Sequence, residues 1–524
     1  MDWTADLELT AEELLLLKLC KKQKLWGFLR KYRHRILDEE VRSAIRSMYP
    51  ALRGPGRPPK APERLALALL LQVAFEVPDH EVPTLTAVDR RWQMVLGCLG
   101  ATEPVLAQAS VFDFRERARA HGLMPLMLEK TVDLARETKG FSHKRLRAVF
   151  DSSPLLGAGR VEDTFNLLGR AISQLVEVAV SEAGVDREAV VEELRLTVAS
   201  GPSVKAVLDV DWRKPAARST ALRELLAQFE RVRQWLLETF DAAALEQPPL
   251  SDRLATVARI IEQDTEPDPD APGPGGRRMR VGGAKDRLIS LSDRDMRHGR
   301  KSKKKVFSGY KRHVAVDADI RGLVCATVVQ PANHREHAAA APLVEKLRAQ
   351  GFVLSEAHID RGYLAASVVT EMRSEGVEVV SKPPTEARRD YFPKSAFAMD
   401  FESETITCPA GATTRLRLGK TVAFPIGACR SCELKSNCTR SRQRQLAVHP
   451  QERWYREMAE ELSTAEGRHL RRQRVYVEHA LARVGSIQGR RARFRGLDKN
   501  QFDLDRTAVV ANCYVLGRLW TNAA

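Results

Sequence analysis

At 524 residues the chain is longer than one ordinary core can hold, so several domains, or one core with large insertions, are expected. Apolar residues at 44% and charged residues at 29% are the balance of a water-soluble globular protein. The 84 Lys and Arg outweigh 68 Asp and Glu by +16, which fits a polyanion partner, nucleic acid first and an anionic membrane surface second.

No apolar run reaches the roughly 18 residues of a membrane span. The acidic start Met1-Asp-Trp-Thr-Ala-Asp6 lacks the basic and apolar regions of a signal peptide, so a cytoplasmic, nucleoid-associated protein is expected. The basic clusters at 299–305 and 489–495 are not patterned as amphipathic membrane helices, which favours nucleic acid. Eight cysteines in so long a chain do not make a disulfide scaffold. Cys20, Cys98, Cys325 and Cys513 are scattered, mostly in apolar segments, and read as core residues.

Residues 1 to about 50 predict helices, with Thr10-Ala-Glu-Glu13 as a capping-box start. Arg53-Gly-Pro-Gly-Arg-Pro-Pro-Lys60 can be neither helix nor central strand. It reads as a hinge, or as a basic arm whose Arg57 enters a DNA minor groove. From Ala61 to about Lys139 the apolar spacing is helical again. Ser110 is the expected N-cap of a helix presenting Arg115, Arg117 and Arg119, either in a helix-turn-helix-like module or in a plain helical domain.

Leu146 to Phe150 predicts a buried strand that ends on Asp151, with Pro154 and Gly157 stopping it. A helical insertion follows from 158 to about 264, closed by the acidic, Pro/Gly-rich stretch from Asp264 to Gly276, which reads as a flexible linker. Lys305–Asp317 and Leu323–Val329 predict a hairpin, Glu336–Gln350 a helix, Val353–Asp360 a strand, Leu364–Glu375 a helix and Val377–Val380 a strand. That order is a mixed sheet flanked by helices. Cys408, then Cys429-Arg-Ser-Cys432, then Cys438 have the pattern of a tetrahedral zinc site, with four reduced thiols or an iron–sulfur cluster as alternatives. One long basic helix is expected from Ser463 to about Val484, then an apolar closing helix from Asp503 to Trp520.

Two strand-end aspartates, Asp151 and Asp360, and a helical glutamate, Glu478, are the residue types that two-metal phosphoryl chemistry uses, since hard carboxylates bind Mg²⁺ or Mn²⁺. Arg474 lies one helical turn before Glu478, where it can reach a phosphate or simply pair with that glutamate. Asp317 and the Ser292-Asp-Arg-Asp295 stretch are alternative ligands; turn chemistry accounts for Asp317.

Several stretches together resemble a bacterial insertion-sequence transposase of the DDE class. They are Gly56-Arg-Pro-Pro, Phe150-Asp-Ser-Ser-Pro-Leu-Leu-Gly-Ala-Gly-Arg-Val-Glu-Asp163, Phe307-Ser-Gly-Tyr-Lys-Arg-His313, Gln330-Pro-Ala-Asn333, Ile359-Asp-Arg-Gly-Tyr363, the cysteine group, Arg474-Val-Tyr-Val-Glu478 and Arg495-Gly-Leu-Asp-Lys-Asn-Gln-Phe-Asp-Leu504. The resemblance implies an α/β, ribonuclease H-like catalytic core in 141–157, 281–400 and 446–524. With it go an N-terminal helical DNA-binding domain in 1–140, a helical insertion and linker in 158–280 and a Cys-rich zinc-like module in 401–445.

It also implies a catalytic triad of Asp151, Asp360 and Glu478 holding two Mg²⁺ or Mn²⁺ ions, and Arg474 as the arginine of a Tyr-Arg-Glu-Lys signature. The tyrosine position of that signature falls on Arg471 and the lysine position on Gly485, so Arg490 and Arg491 are the candidates for the missing DNA contact. The implied reaction is nicking of double-stranded DNA at element ends and attack of the freed 3′-hydroxyl on target DNA, by a homodimer bound to terminal inverted repeats. A ribonuclease H-like nuclease without strand transfer, and a non-catalytic DNA-binding derivative, are the competing readings.

Overall fold

The structure is a computed structural model, and it describes residues 8–49, 61–141, 144–199, 201, 203–208, 210–270, 276–302, 304–386, 391–472 and 474–521. Arg57 lies outside these residues, as does the side chain of Arg471.

The centre is a six-stranded sheet. Its strands are β1 (Arg145–Leu156), β2 (Arg297–Arg300), β3 (Val306–Asp317), β4 (Val324–Pro331), β5 (Val353–His358) and β6 (Glu378–Val380). β1 runs parallel to β5 and β5 parallel to β6, while β3 lies antiparallel on the other side of β1. The far edge of β3 is shared: β2 takes residues Val306–Gly309 and β4 takes Tyr310–Val316. β4 is buried from Val324 to Gln330, which explains its unbroken Val/Ala/Cys/Thr run, because a strand covered on both faces needs no polar alternation.

β1 does not stop at Asp151. It continues through Pro154 to Leu156, paired with β3 throughout. β5 leaves its flank after Val149↔His358, so beyond that point β1 has a sheet partner on one side only. The Leu156 N–H donates to the Arg490 carbonyl, away from β3, and Pro154 shares that orientation two residues earlier. The missing proline N–H therefore falls on the open side and breaks no ladder bond.

The helices are α1 (Pro62–Phe75), α2 (Gln108–Ala120) and α3 (Leu123–Thr138) before the sheet, of which α3 packs on β4, and α4 (Thr164–Ala183), α5 (Pro215–Thr239) and α6 (Leu250–Asp264) in the insertion, which pack on one another. α7 (Ala340–Ala349), α8 (Ser367–Ser374), α9 (Val475–Gln488) and α10 (Leu497–Thr521) follow. α10 packs against α1, α3, α9 and β4, and one apolar core runs from Leu25 and Trp26 through α1 and α3 into β1, β3, β4 and α10. The insertion has its own core around Leu168, Ile172, Leu222 and Val257. A third small core, around Phe397, Ile406 and Phe424, underlies the cysteine segment.

The open edge of β4 is sealed by side chains. Asn512 of α10 accepts the Val324 N–H at 2.9 Å and donates to the Val324 carbonyl at 2.8 Å. Gln350 donates to the Cys325 carbonyl, Lys346 to the Thr327 carbonyl, and Gln501 accepts the Val329 N–H. An exposed row of strand amides would otherwise invite pairing with another chain.

Four expectations need correction. The long basic helix expected from Ser463 to about Val484 is two pieces, Ala465–Arg472 and α9, with Arg474 just outside the second. The expected linker after α6 is held at both ends, because Thr265–Pro267 pairs with Arg277–Met279 and buried Asp264 takes a bidentate bond from Arg287. α2 starts at Gln108 rather than after Ser110, and of its arginines Arg115 is buried while Arg117 stays exposed, each with a partner in the chain. Arg115 pairs with Asp79, Arg117 donates to the Met48 carbonyl and Arg119 pairs with Asp498. The strand at 353 ends at His358, two residues before Asp360.

Candidate functional site

Register brings the two aspartates together. Extending the parallel pairing Val149↔His358 by two residues sets Asp151 beside Asp360 at the point where β1 and β5 part. Asp360 opens the short turn Arg361–Tyr363 instead of continuing the strand. α9 packs across β1 and β3 and adds Glu478 to the same cleft. The cleft has a volume of about 690 Å³, and its walls carry Arg300, Lys301, Lys311, Arg312, Lys382 and Arg490 besides the carboxylates.

Arg474 does not pair with Glu478. Its guanidinium lies 3.1 Å from Asp360 Oδ1, and among the described residues its buried Nε has no hydrogen-bond partner. A cation therefore already stands among the carboxylates. Asp151 is the most burdened of them: burial raises its carboxyl above the ordinary range, and Asp360 and Glu336 raise it further. The Ser152 N–H, 2.7 Å from Asp151 Oδ1, and the Arg474 charge pull the other way.

Glu336 is a fourth carboxylate in the cleft. Its Oε1 accepts the Ser152 hydroxyl at 2.6 Å, and its other oxygen lies so close to Gly362 that a Cβ there would collide with it. One side chain thus touches the residue after Asp151 and a residue two beyond Asp360. Behind it runs a buried chain. Gln330 Nε2 lies 2.7 Å from His313 Nε2, and His313 Nδ1 lies 2.7 Å from the Tyr363 hydroxyl. The amide nitrogen can only donate, so Nε2 accepts and Nδ1 carries the proton toward Tyr363. Burial takes His313 down to about 3, so this chain stays neutral.

The candidate DNA-contact arginines separate. Arg490 lines the cleft, whereas Arg491 donates to the Gly157 carbonyl and holds the end of β1. At Gly485, where the resemblance places a lysine, Arg312 Nη2 comes within 3.1 Å of the site a Cβ would occupy. Arg312 is fixed by Ser153 and Gln488, and burial lowers it to about 10. A guanidinium from β3 thus fills the cleft beside Gly485.

The other candidate ligands are committed elsewhere. Asp317 is fully buried against Arg136, Asp293 accepts the Tyr310 hydroxyl, and Asp295 accepts the Leu497 N–H at 2.9 Å. Cys408, Cys429, Cys432 and Cys438 line one pocket of about 530 Å³, and burial plus the three neighbouring thiols push Cys438 up. Among the described residues, no three carboxylates, imidazoles or thiols stand in a ready-made metal-holding group.

A mixed sheet that delivers carboxylates into an arginine- and lysine-rimmed cleft defines a protein built to handle a polyanion backbone. Residues 276–513 match the transposase DDE domain family, and residues 17–117 match the transposase domain family DUF772. The two matches together support an insertion-sequence transposase of the DDE class. The first match takes in Asp360, Arg474 and Glu478, while Asp151 lies before it, on the far side of the helical insertion. Neither the curated proteins nor the solved structures gave a match. Among the described residues, no helix is long and apolar enough to cross a membrane.

Proposed function

We propose that the chain binds the terminal inverted repeats of a mobile element, nicks the DNA at its ends and joins the freed 3′-hydroxyl to target DNA. Asp151, Asp360 and Glu478 are the catalytic carboxylates of a ribonuclease H-like core, with two copies of the chain holding two ends. The observation that carries this reading is the convergence of these three residues, from β1, the turn after β5 and α9, on one basic cleft. The strand order β4–β3–β1–β5–β6, with only β3 running against the other four, supports the core assignment.

The donor set suits a hard divalent cation. It is all carboxylate, it already attracts the Arg474 guanidinium, and a doubly charged ion would offset the repulsion that raises Asp151. Asp151, Asp360 and Glu478 would hold Mg²⁺ or Mn²⁺, which supplies activation of an attacking hydroxyl and stabilisation of the leaving oxygen. The chain's own residues bind and orient the DNA. Arg474, once released from Asp360, and Arg490 reach backbone phosphates, and Glu336 fixes the loops that carry the two aspartates. The four cysteines would hold a structural zinc with soft thiolate ligands. Elemental analysis finding no zinc in chain purified without chelators would overturn that assignment.

The test is cleavage of labelled DNA carrying the element's ends, wild type beside Asp151→Asn, Asp360→Asn and Glu478→Gln. Loss of cleavage in all three with DNA binding retained supports the triad. Activity surviving in Glu478→Gln removes that residue from it. A folded wild type that binds the ends without cutting them overturns the catalytic reading.

A further inference from the structure

On the face of α9 next to the carboxylate cleft lies a second concavity of about 620 Å³, lined by Arg321, Gly322, His479, Ala482, Arg483, Ser486 and Arg518. Among the described residues no acidic side chain lines it. α9 is the ridge between the two depressions. Glu478, Leu481, Ala482 and Gly485 line the carboxylate cleft, while His479, Ala482, Arg483 and Ser486 line the basic pocket, Ala482 serving both. The spacing follows from the 3.6-residue turn, which gives one helix two adjacent stripes.

The arginines are held for use. Arg321 projects from the β3–β4 turn with its guanidinium over the Tyr476 ring at 5.7 Å, and Arg483 lies over the Tyr514 ring at 5.3 Å. Among the described residues neither has a carboxylate partner. Arg518 donates to the Arg321 carbonyl at 3.0 Å, which ties the end of α10 to the same turn. Burial and the charges of Arg483 and Arg321 all act to lower Arg518, the signature of cations crowded together. Stacking leaves the edges of the guanidinium planes free to donate to phosphate oxygens.

We propose that this pocket is a second phosphate-binding site, which takes the backbone of the same DNA whose scissile phosphate lies in the carboxylate cleft. The proposal rests on the DNA-cleavage reading above and extends it to the flanking duplex. The two stripes stand roughly 100° apart on a helix about 10 Å across, so the sites lie within two or three phosphate steps at about 3.4 Å of axis per step. A strand crossing α9 thus places one phosphate at Glu478 and another between Arg321 and Arg483. The pocket contacts no base edge of its own, so it adds affinity without sequence preference.

The experiment is the salt dependence of binding to an end-bearing duplex, by fluorescence anisotropy, for wild type, Arg321→Gln/Arg483→Gln and Arg321→Lys/Arg483→Lys. The glutamine pair is expected to lower the log–log salt slope by about 1, one phosphate contact, and to weaken binding about tenfold near physiological salt. The lysine pair should keep the slope, which separates charge from folding. A glutamine pair with unchanged slope and affinity overturns the proposal. So does a pocket that inorganic phosphate protects from arginine-directed modification while duplex DNA does not, since it would then serve a free anion. Metal-dependent cleavage at saturating DNA is read in parallel. A wild type that neither binds nor cuts the ends sinks the functional reading itself, whereas normal cutting with an unchanged slope sinks only this pocket.

Discussion

The join between the N-terminal helices and the sheet gives the sharpest stability prediction. Arg136 of α3 and Asp317 at the end of β3 form an ion pair at 2.5 Å, with side chains 3% and 0% exposed. Arg136 also donates to the Arg145 carbonyl at 2.7 Å and stacks over Phe141 and Phe352. Asp317 Oδ1 receives the N–H groups of Asp319 and Ile320. Arg136→Met keeps most of the packing volume but leaves a carboxylate buried without its cation, which costs about 3–5 kcal/mol. In a cooperative unit of about 150–250 residues that lowers the unfolding temperature by roughly 6–20 °C.

The loss depends on pH, with a definite sign. Burial holds the Asp317 carboxyl above its ordinary value, and Arg136 is the largest influence pulling it down, so the variant raises it further. A group raised on folding weighs against the fold above its folded pKa and is relieved as pH falls through it. The deficit of Arg136→Met relative to wild type should therefore shrink between pH 8 and pH 5 in thermal-unfolding scans. Arg136→Met/Asp317→Asn, with no buried charge, should be more stable than the single variant. A single variant within a degree or two of wild type, or a double variant worse than the single, would refute the reasoning.

Asn512→Leu strips the β4 edge of its acceptor and donor and leaves the buried Val324 N–H and carbonyl unpaired, while Thr131 keeps its bond to the Leu128 carbonyl; the cost is about 2–3 kcal/mol, with faster hydrogen exchange at Val324 as the local readout. Glu336→Ala should lower cleavage at least about tenfold, while Glu336→Gln, which still offers Ser152 an acceptor, should stay within a few-fold; equal losses would show that charge matters and the hydrogen bond does not. Arg115→Met leaves Asp79 without its partner and should destabilise the chain while leaving DNA affinity intact. A folded Arg115→Met that lost DNA binding would return that arginine to the DNA surface.

The sheet was legible where local pattern decides. The hairpin of β3 and β4 and the strand before Asp360 carry β-branched runs bounded by turns, and both aspartates stand where such runs end or part. The apolar helical stripe beside Glu478 was legible, with Val477, Leu481 and Val484 buried as it requires, and Glu478 at its border lines the cleft. Glu336 was not, because it reads as the first polar residue of a helix, and only the fold brings Ser152 and Gly362 to it. The passage of β1 through Pro154 was hidden too, since a proline is tolerated there only because β5 has already left. Arg115 and Arg119 looked like an exposed basic row; their carboxylate partners, Asp79 and Asp498, lie far away in sequence, and charge alone cannot tell an arginine that meets DNA from one that meets a distant aspartate. The break between Arg472 and α9 has no proline or glycine to announce it, which is why one helix was expected there.

The apolar core that runs unbroken from Trp26 into β1 has an evolutionary consequence. A recognition domain strung on a linker can be exchanged between relatives, so that specificity drifts while the catalytic core stands still. Here the helices before β1 are walls of the same core that sets the aspartates, and a graft would have to match Trp26, Phe28 and Leu70 to the far side of α10. On the proposed reading, changes in the DNA recognised should therefore accumulate as surface substitutions on existing helices, and chimaeras cut near residue 140 should fail to fold before they fail to bind.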